Sequence, residues 1–444
     1  MKKIKNLFFA LSSVTAMAAL PMVAVSCVDP SESEGTKPNK YIEPKNRLAV
    51  LTPDTQFNKA YVQDNFKNQK FEIALVTDAG NVDDKSFNQS SWEALNQIWD
   101  QTEGLVKVKQ LKPQGTNYAA IYSQLLTKGT KVWILSGFKH QDPITKFIAA
   151  NKAQMDKKGI IIIGVDFVLP FEGKDAVQYD RFYGLGFKVQ QSAYVVGKAV
   201  SKTIAEEFKE NPEKRIINSF GGGSFPGVTD FNIGFLRGIL AYNTANAEAK
   251  VKTNTNNLVP IDSGFEPNDK MKQVINSIIA QNPAVTLPVA GPATQITIEE
   301  LDKDSKYKDV KIIGVDVDQA LTFSAGSSAR ERFLSSITKN IAQATYDIIL
   351  ARIFNLDPKG LLKGVQGSLN LSEGMAEGWV GYTNAYVKDE TLKANMDKNL
   401  AEAKADFDKL TPEQVNDLTS LTVNGQTEKG IQEALNALAK LINA

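Results

Sequence analysis

Cysteine and histidine are almost missing from this sequence. One Cys in 444 residues leaves no intramolecular disulfide. One Cys and one His cannot complete a structural zinc site, which takes four such ligands. A single His also leaves only one candidate base, His140, for a Ser-His-Asp or Cys-His engine. No partner motif accompanies it, so a surface or loop position is expected rather than catalysis. Excess charge of either sign is missing too. Lys+Arg 51 against Asp+Glu 50 gives +1, without the basic surplus that a generic nucleic-acid binder carries. What is present is ordinary soluble-protein composition, and the length suggests two or three domain-sized units.

The N-terminus reads as an address. Lys2, Lys3 and Lys5 precede an uncharged apolar run over residues 7–25, and a polar stretch follows Cys27. That is the layout of a secretory signal. A membrane-spanning anchor is the alternative, since the run is near the lower length for a span. Ala24, Val25 and Ser26 before the only thiol resemble the lipobox of bacterial lipoproteins. The resemblance implies cleavage before Cys27 and a lipid on its sulfur, making 1–26 a signal peptide. Residues 28–46 are rich in Pro, Ser, Lys and Glu and poor in apolar side chains, too few to fold alone. Residues 27–70 are therefore expected to be the lipidated Cys and a flexible tether, with 47–69 open between a short helix and an extended lead-in.

From residue 71 onward, short β-branched runs alternate with longer amphipathic ones. Runs at 71–77, 106–111, 132–136 and 159–166 predict strands, each followed by a helical pattern; 71–77 is continuous and apolar, and 159–166 is the clearest buried strand. The rhythm repeats at 215–220, near 258–262, and at 284–290, 310–316 and 333–338. Such alternation predicts an α/β fold with parallel sheets covered on both faces, divided into two lobes. GIIIIGVD (159–166) and VKIIGVD (310–316) are near copies, each closing on Gly-Val-Asp. They read either as generic buried strands or as equivalent strands of two lobes, each presenting an Asp at a carboxyl end, where ligands sit in open α/β sheets.

Residues 77–88, TDAGNVDDKSFN, lie between a strand and a helix. Acidic and amide side chains at a helix N-terminus make a polar site, where exposed amides attract oxygens. Phe87 stands out there; its plain alternative is a staple packed back on the helix. The segment has a distant likeness to the calcium turn of nucleoside hydrolases. Val76 replaces that turn's first Asp, however, and calcium wants many oxygen ligands. FGGGSFPG (220–227) follows a strand but lacks a Walker Lys-Ser/Thr pair, so it reads as a close-approach turn.

TDxGxxDDKSFNxxxW is similar to the opening motif of the Bmp/PnrA family of bacterial lipoproteins. VWILSGF (132–138), FNIGFLRG (231–238), SGF (263–265), IIGVDVDQ (312–319) and SSITKN (335–340) match further family signatures in order over about 71–400. Asn81, Pro292, Ala293 and an apparent TNTNN insertion (253–257) depart from the pattern. The resemblance implies a type I periplasmic-binding-protein fold, two lobes on hinge crossings. It implies a substrate-binding lipoprotein of an ABC transporter, on the extracytoplasmic face, with a purine nucleoside in the inter-lobe cleft. Its partners would be a permease, an ATPase and the membrane, and no nucleic acid; no cofactor, metal or catalysis is expected. The boundaries expected are 71–187 with 319–350 for lobe 1, 188–318 with 351–400 for lobe 2, and a helical extension at 401–444.

For the site, the resemblance implies Phe87 and Phe231 sandwiching the base. Asp316 would accept from ribose hydroxyls, and Lys339 would donate to ribose oxygens while neutralising Asp316. Asp78 and Asn88 would read the base edge or the 5′ end, and Gly264 would admit a close backbone approach. Asp142 is a further candidate. The plain alternatives are a core role for Phe231, a helix cap for Asp316 and a surface position for Lys339. At the level of function, the alternatives are a surface adhesin or antigen on the same fold, and a sugar-binding version of it.

Overall fold

The chain is described by a computed structural model over residues 36–54, 57 and 59–444. The signal segment and Cys27 lie outside the described residues. The central β-branched runs form strands because helices bury them on both faces, while the edge strands at 106–111 and 369–373 are only partly buried. After α1 (Lys59–Phe66), the order is β1 (Phe71–Thr77), α2 (Phe87–Gln101), β2 (Val106–Leu111), α3 (Tyr118–Lys128), β3 (Val132–Ser136), α4 (Gln141–Lys158), β4 (Ile161–Val165) and β5 (Phe182–Phe187). A second run follows: α5 (Val189–Glu207), β6 (Ile217–Gly221), α6 (Pro226–Ala245), α7 (Asp269–Ile279), β7 (Val285–Val289), α8 (Ala293–Leu301), β8 (Lys311–Asp316) and β9 (Phe333–Lys339). The chain then passes through α9 (Ile341–Ile353), β10 (Leu369–Glu373), β11 (Val380–Tyr382) and α10 (Glu390–Phe407). It ends with α11 (Pro412–Asn416), a hairpin of β12 (Thr422–Val423) and β13 (Gln426–Thr427), and α12 (Ile431–Asn443).

Two sheets result. The first runs β10-β5-β4-β3-β1-β2 and is parallel throughout; the second runs β11-β9-β8-β7-β6 and is parallel except for β11. This is the expected α/β architecture of two helix-flanked lobes. The boundaries differ from those expected. β9 pairs with β8 in the second sheet, so 333–339 leaves lobe 1, while α9 packs on α2 and stays with it. β10 pairs with β5, so 369–373 returns to lobe 1. The chain thus crosses between lobes three times, after β5, after β9 and after β10. Lys188 N–H donates to Glu373 O (2.9 Å) and Asn340 N–H to Trp379 O (2.7 Å), binding the crossings together over a buried Trp379.

Four further expectations are corrected. Residues 258–262 are not a strand. Pro260 has no N–H, and the Asn254 side chain already bonds Ser219 N and O, the partners a strand beside β6 would need. The TNTNN segment therefore serves the edge of β6. Residues 401–406 complete α10 rather than opening the extension. Residues 36–54 are no free tether. Ile42 N–H bonds Asn96 Oδ1 (2.7 Å), and Leu48 and Ala49 N–H bond the buried Glu93 (2.9 and 2.7 Å). Polar side chains of α2 satisfy this backbone, a compensation invisible in the segment's own composition. Finally, His140 is fully buried, not at the surface.

In lobe 2 the FNIGFLRG motif is a packing device. Gly234 and Gly238 face α5 so closely that a methyl would come within 2.4 and 2.2 Å of backbone carbonyls. Among the described residues no helix is long and apolar enough to cross a membrane.

Candidate functional site

The loop from β1 to α2 is organised by Asp84. Its carboxylate accepts from Ser86 N (3.0 Å), Asn88 N (3.0 Å), Gln89 N (3.1 Å) and Asn88 Nδ2 (2.9 Å), satisfying the free amides of the α2 N-terminus. Ser86, at the cap position, is left free to reach the other lobe, and its hydroxyl donates to Asp316 Oδ2 (2.8 Å). Asn88 Nδ2 also donates to Ala79 O (3.0 Å), which fixes the amide's orientation. Its Oδ1 is buried without a hydrogen-bond partner among the described residues.

The twin Gly-Val-Asp strands end alike. Asp166 after β4 and Asp316 at the end of β8 both have φ of +66°, a left-handed turn that aims the carboxylates between the lobes. Lys339, at the end of β9, donates to Asp166 Oδ1 (3.0 Å), Asp166 Oδ2 (2.9 Å) and Gly227 O (2.9 Å). An ammonium has three donors, so all are engaged. Lys339 thus pairs with Asp166 of the other lobe and not with Asp316 as expected, because the lobes approach closely enough to bring that carboxylate to it. Its side chain is 1% exposed.

These groups wall a cavity of about 520 Å³ between the lobes, within the size range of small-molecule sites. Asp78, Phe87, Asn88, Asp166, Asp316 and Lys339 all line it. Burial pushes the Asp78 carboxyl up to about 7 against the Ala79 amide and the Lys139 charge. Burial likewise raises Asp316 to about 6, while Lys339 and Ser86 pull it down. The mouth is bordered by rings and charges from both lobes. Phe138 stacks on Phe225, Lys139 lies 5.3 Å from the Phe265 ring, and Lys112 faces Glu266 at 3.7 Å.

Three expected residues lie elsewhere. Phe231 is buried in the core beneath Lys339, 5.0 Å from its ammonium, and does not line the cavity. Gly264, with φ of +81°, donates its N–H to Gly222 O (3.1 Å), and it is the next residue, Phe265, that reaches the wall. Asp142 is exposed in the first turn of α4, where it suits the helix dipole, and borders a second cavity outside the mouth. His140 accepts from Tyr122 OH at Nδ1 (2.6 Å) and faces Val76 O with Nε2 (3.1 Å). Burial lowers its pKa to about 3, so it is a neutral strut. Asp166 was foreseen only as one of two readings of its strand, and the residues missed, Phe138, Phe225 and Phe265, each stood in a motif already singled out. The motif was legible, but which member faced the cleft was not.

Comparison with known proteins bears on the fold and the family. Residues 71–406 match the family model Bmp, described as ABC transporter substrate-binding protein PnrA-like. A "CD4+ T-cell-stimulating antigen" of Listeria innocua is 27% identical over 280 residues, 58% of this chain and 65% of that protein, so the chain spans somewhat under two thirds of that relative. The "ABC transporter nucleoside-binding protein BmpA" of Lactococcus lactis is 26% identical over 339 residues, 73% of this chain and 86% of that one. A solute-binding protein structure from Aeropyrum pernix K1 superposes with a TM-score of 0.54 at 20% identity, covering 84% of this chain and 91% of that one, and shares the fold. With two α/β lobes, a carboxylate from each on one cavity, and the family model matched over most of the chain, this protein belongs to the Bmp family of PnrA-like ABC-transporter substrate-binding proteins.

Proposed function

We propose that the chain is a lipid-anchored, extracytoplasmic binding protein that captures a purine nucleoside and delivers it to an ABC permease and its ATPase. The observation that carries the reading is the inter-lobe cavity, which joins aromatic rings to paired acceptors. Phe87 stacks on one face of the base, and Phe225 or Phe265 replaces Phe231 as the ring from lobe 2. Asp316 accepts from the ribose hydroxyls, helped by Asp166. The oriented Asn88 Oδ1 accepts from a base N–H, with Asp78 beside it. Lys339 exchanges part of its hold on Asp166 for ligand oxygens. The name of the Lactococcus relative supports a nucleoside, and the Cys27 motif supports the anchor. The TNTNN segment packs at the edge of β6 rather than in the cleft, so it gives no support to a disused site.

The test is a thermal-shift panel on the protein starting after Cys27, with purine and pyrimidine nucleosides, free bases, ribose and common sugars. Ligand at about 100 times its dissociation constant stabilises by about 2.7 kcal/mol. A shift with purine nucleosides and none with ribose is expected. A shift with sugars alone would replace the nucleoside reading, and no shift after unfolding and refolding to strip carried ligand would remove it.

A further inference from the structure

We propose that the Gly-Gly-Gly turn at 221–223 seats two aromatic rings that clasp lobe 1 beside the mouth of the cleft, holding the lobes together before a ligand arrives and slowing its release. This rests on the reading of the cleft as the ligand site. Neither Gly222 nor Gly223 has a positive φ, so what each supplies is room rather than backbone freedom. A methyl on Gly223 would come within 2.3 Å of the Phe225 ring, and one on Gly222 within 2.5 Å of the Phe265 ring. Both rings therefore lie against bare backbone. Phe225 is fixed by the start of α6, since its C=O accepts from Val228 N (2.9 Å) and Thr229 N (2.9 Å). Phe265 is brought back over the turn by Gly264, whose N–H donates to Gly222 O (3.1 Å). The two rings tilt against each other with centroids 5.6 Å apart.

Lobe 1 meets this pair with two consecutive side chains. Phe138 stacks on Phe225 at an interplanar angle of 20°, and the Lys139 ammonium lies 5.3 Å from the Phe265 ring. Both stand on the turn after β3, which is braced from within. Gly137 N–H donates to Val165 O (3.0 Å) and His140 N–H to Gly137 O (3.2 Å), while the buried His140 ring spans Tyr122 OH and Val76 O. The neighbouring Lys112–Glu266 pair is exposed on both sides, and such a pair contributes little. The rings therefore carry the clasp, an aromatic pair being worth more than its buried area alone. Phe138 and Phe265 border both the cleft cavity and the second cavity outside the mouth, so the clasp stands between the two. A ligand held by both lobes leaves when they part, and parting them breaks the stack.

The test uses the full chain carrying Cys27→Ser, which removes its only cysteine. Spin labels on Gln124→Cys of α3 and Gln273→Cys of α7, both exposed, report lobe separation by pulsed electron resonance. Tyr118 at the start of α3 and Asn268 capping α7 both line the second cavity, so the labels span that side of the mouth. Without ligand, Phe138→Ala and Gly223→Ala are each expected to enrich the longer label distance. Each should also release inosine about 2- to 10-fold faster in stopped flow. On a Phe225→Ala background neither change should add to either effect, because Gly223 is a positioning residue that acts through that ring. A ligand-free parent already at the longer distance, or distances unmoved by Phe138→Ala, would overturn the clasp. A Gly223→Ala effect undiminished on the Phe225→Ala background would overturn the seat. Unchanged release from a Phe138→Ala chain with parted lobes would overturn its hold on the ligand. A parent whose distances respond as expected yet binds no inosine would support the clasp and overturn the nucleoside reading.

Discussion

At the residue scale, the cleft is governed by buried carboxylates whose protonation is displaced upward. Asp78 is raised to about 7 and Asp316 to about 6, with burial the leading cause in both. Between about pH 4 and these values the native chain holds protons that the unfolded chain has released, so their contribution to stability falls as pH rises through that window. Asp78→Asn removes that proton uptake. The variant should gain melting temperature relative to its parent on going from pH 5 to 7.5, and a difference independent of pH would count against the assignment. Ligand binding should run the opposite way, because Asp316 accepts hydroxyls best when ionised. Nucleoside affinity, followed by calorimetry, should be about tenfold weaker at pH 5 than well above the Asp316 value, since one pH unit corresponds to a factor of ten. Phe87→Ala should weaken binding by about 1–3 kcal/mol through lost stacking.

At the element scale, two strand-to-helix junctions shape the cleft. Asp84 caps α2 in place of Ser86, so that Ser86 reaches Asp316. The N-terminus of α6 meets the other lobe at Gly227, where a methyl would come within 2.2 Å of Asp166 Oδ2. Gly227→Ala should keep the fold and melting temperature of each lobe yet weaken ligand binding, because closure would be wedged open; unchanged affinity in a titration would refute this. The C-terminal extension covers α6. Leu435 of α12 is fully buried, and Asn443 Nδ2 bonds Thr253 O (2.7 Å) in the TNTNN segment. Leu435→Ala should cost about 2–5 kcal/mol in denaturant unfolding, with little effect on ligand affinity.

At the scale of the whole molecule, two polar contacts span the lobes inside the cleft: Ser86 with Asp316, and Lys339 with Asp166. The second is the stronger device, since it buries both charges. Removing one partner of a buried pair strands the other and costs about 3–5 kcal/mol. Opening the cleft relieves that cost by hydrating Lys339. Asp166→Ala should therefore have a larger radius of gyration than its parent in small-angle scattering without ligand. Equal radii would mean that the pair does not hold the lobes together. Hinge closure of this kind is how two-domain binding proteins enclose a ligand.

The sequence alone determined the α/β class, the two lobes and the order of most strands, because buried parallel strands must be continuous apolar runs. It also marked the β1–α2 loop and the twin Gly-Val-Asp strands, since polar groups at strand ends are conspicuous, and Lys339 through the family resemblance of 335–340. Tertiary structure decided what depends on partners distant in the chain. The β9 and β10 assignments follow from which strand each pairs with, and β10, LNLSE, is too polar to announce itself. Asp166 rather than Asp316 took Lys339, and Phe225 and Phe265 rather than Phe231 reached the cavity, because the approach of two lobes selects one member of each motif. The docking of residues 40–54 on α2 was invisible locally for the same reason. The segment's backbone is satisfied by Glu93, Asn96 and Asp100 of another element, and no property of the segment itself records their presence.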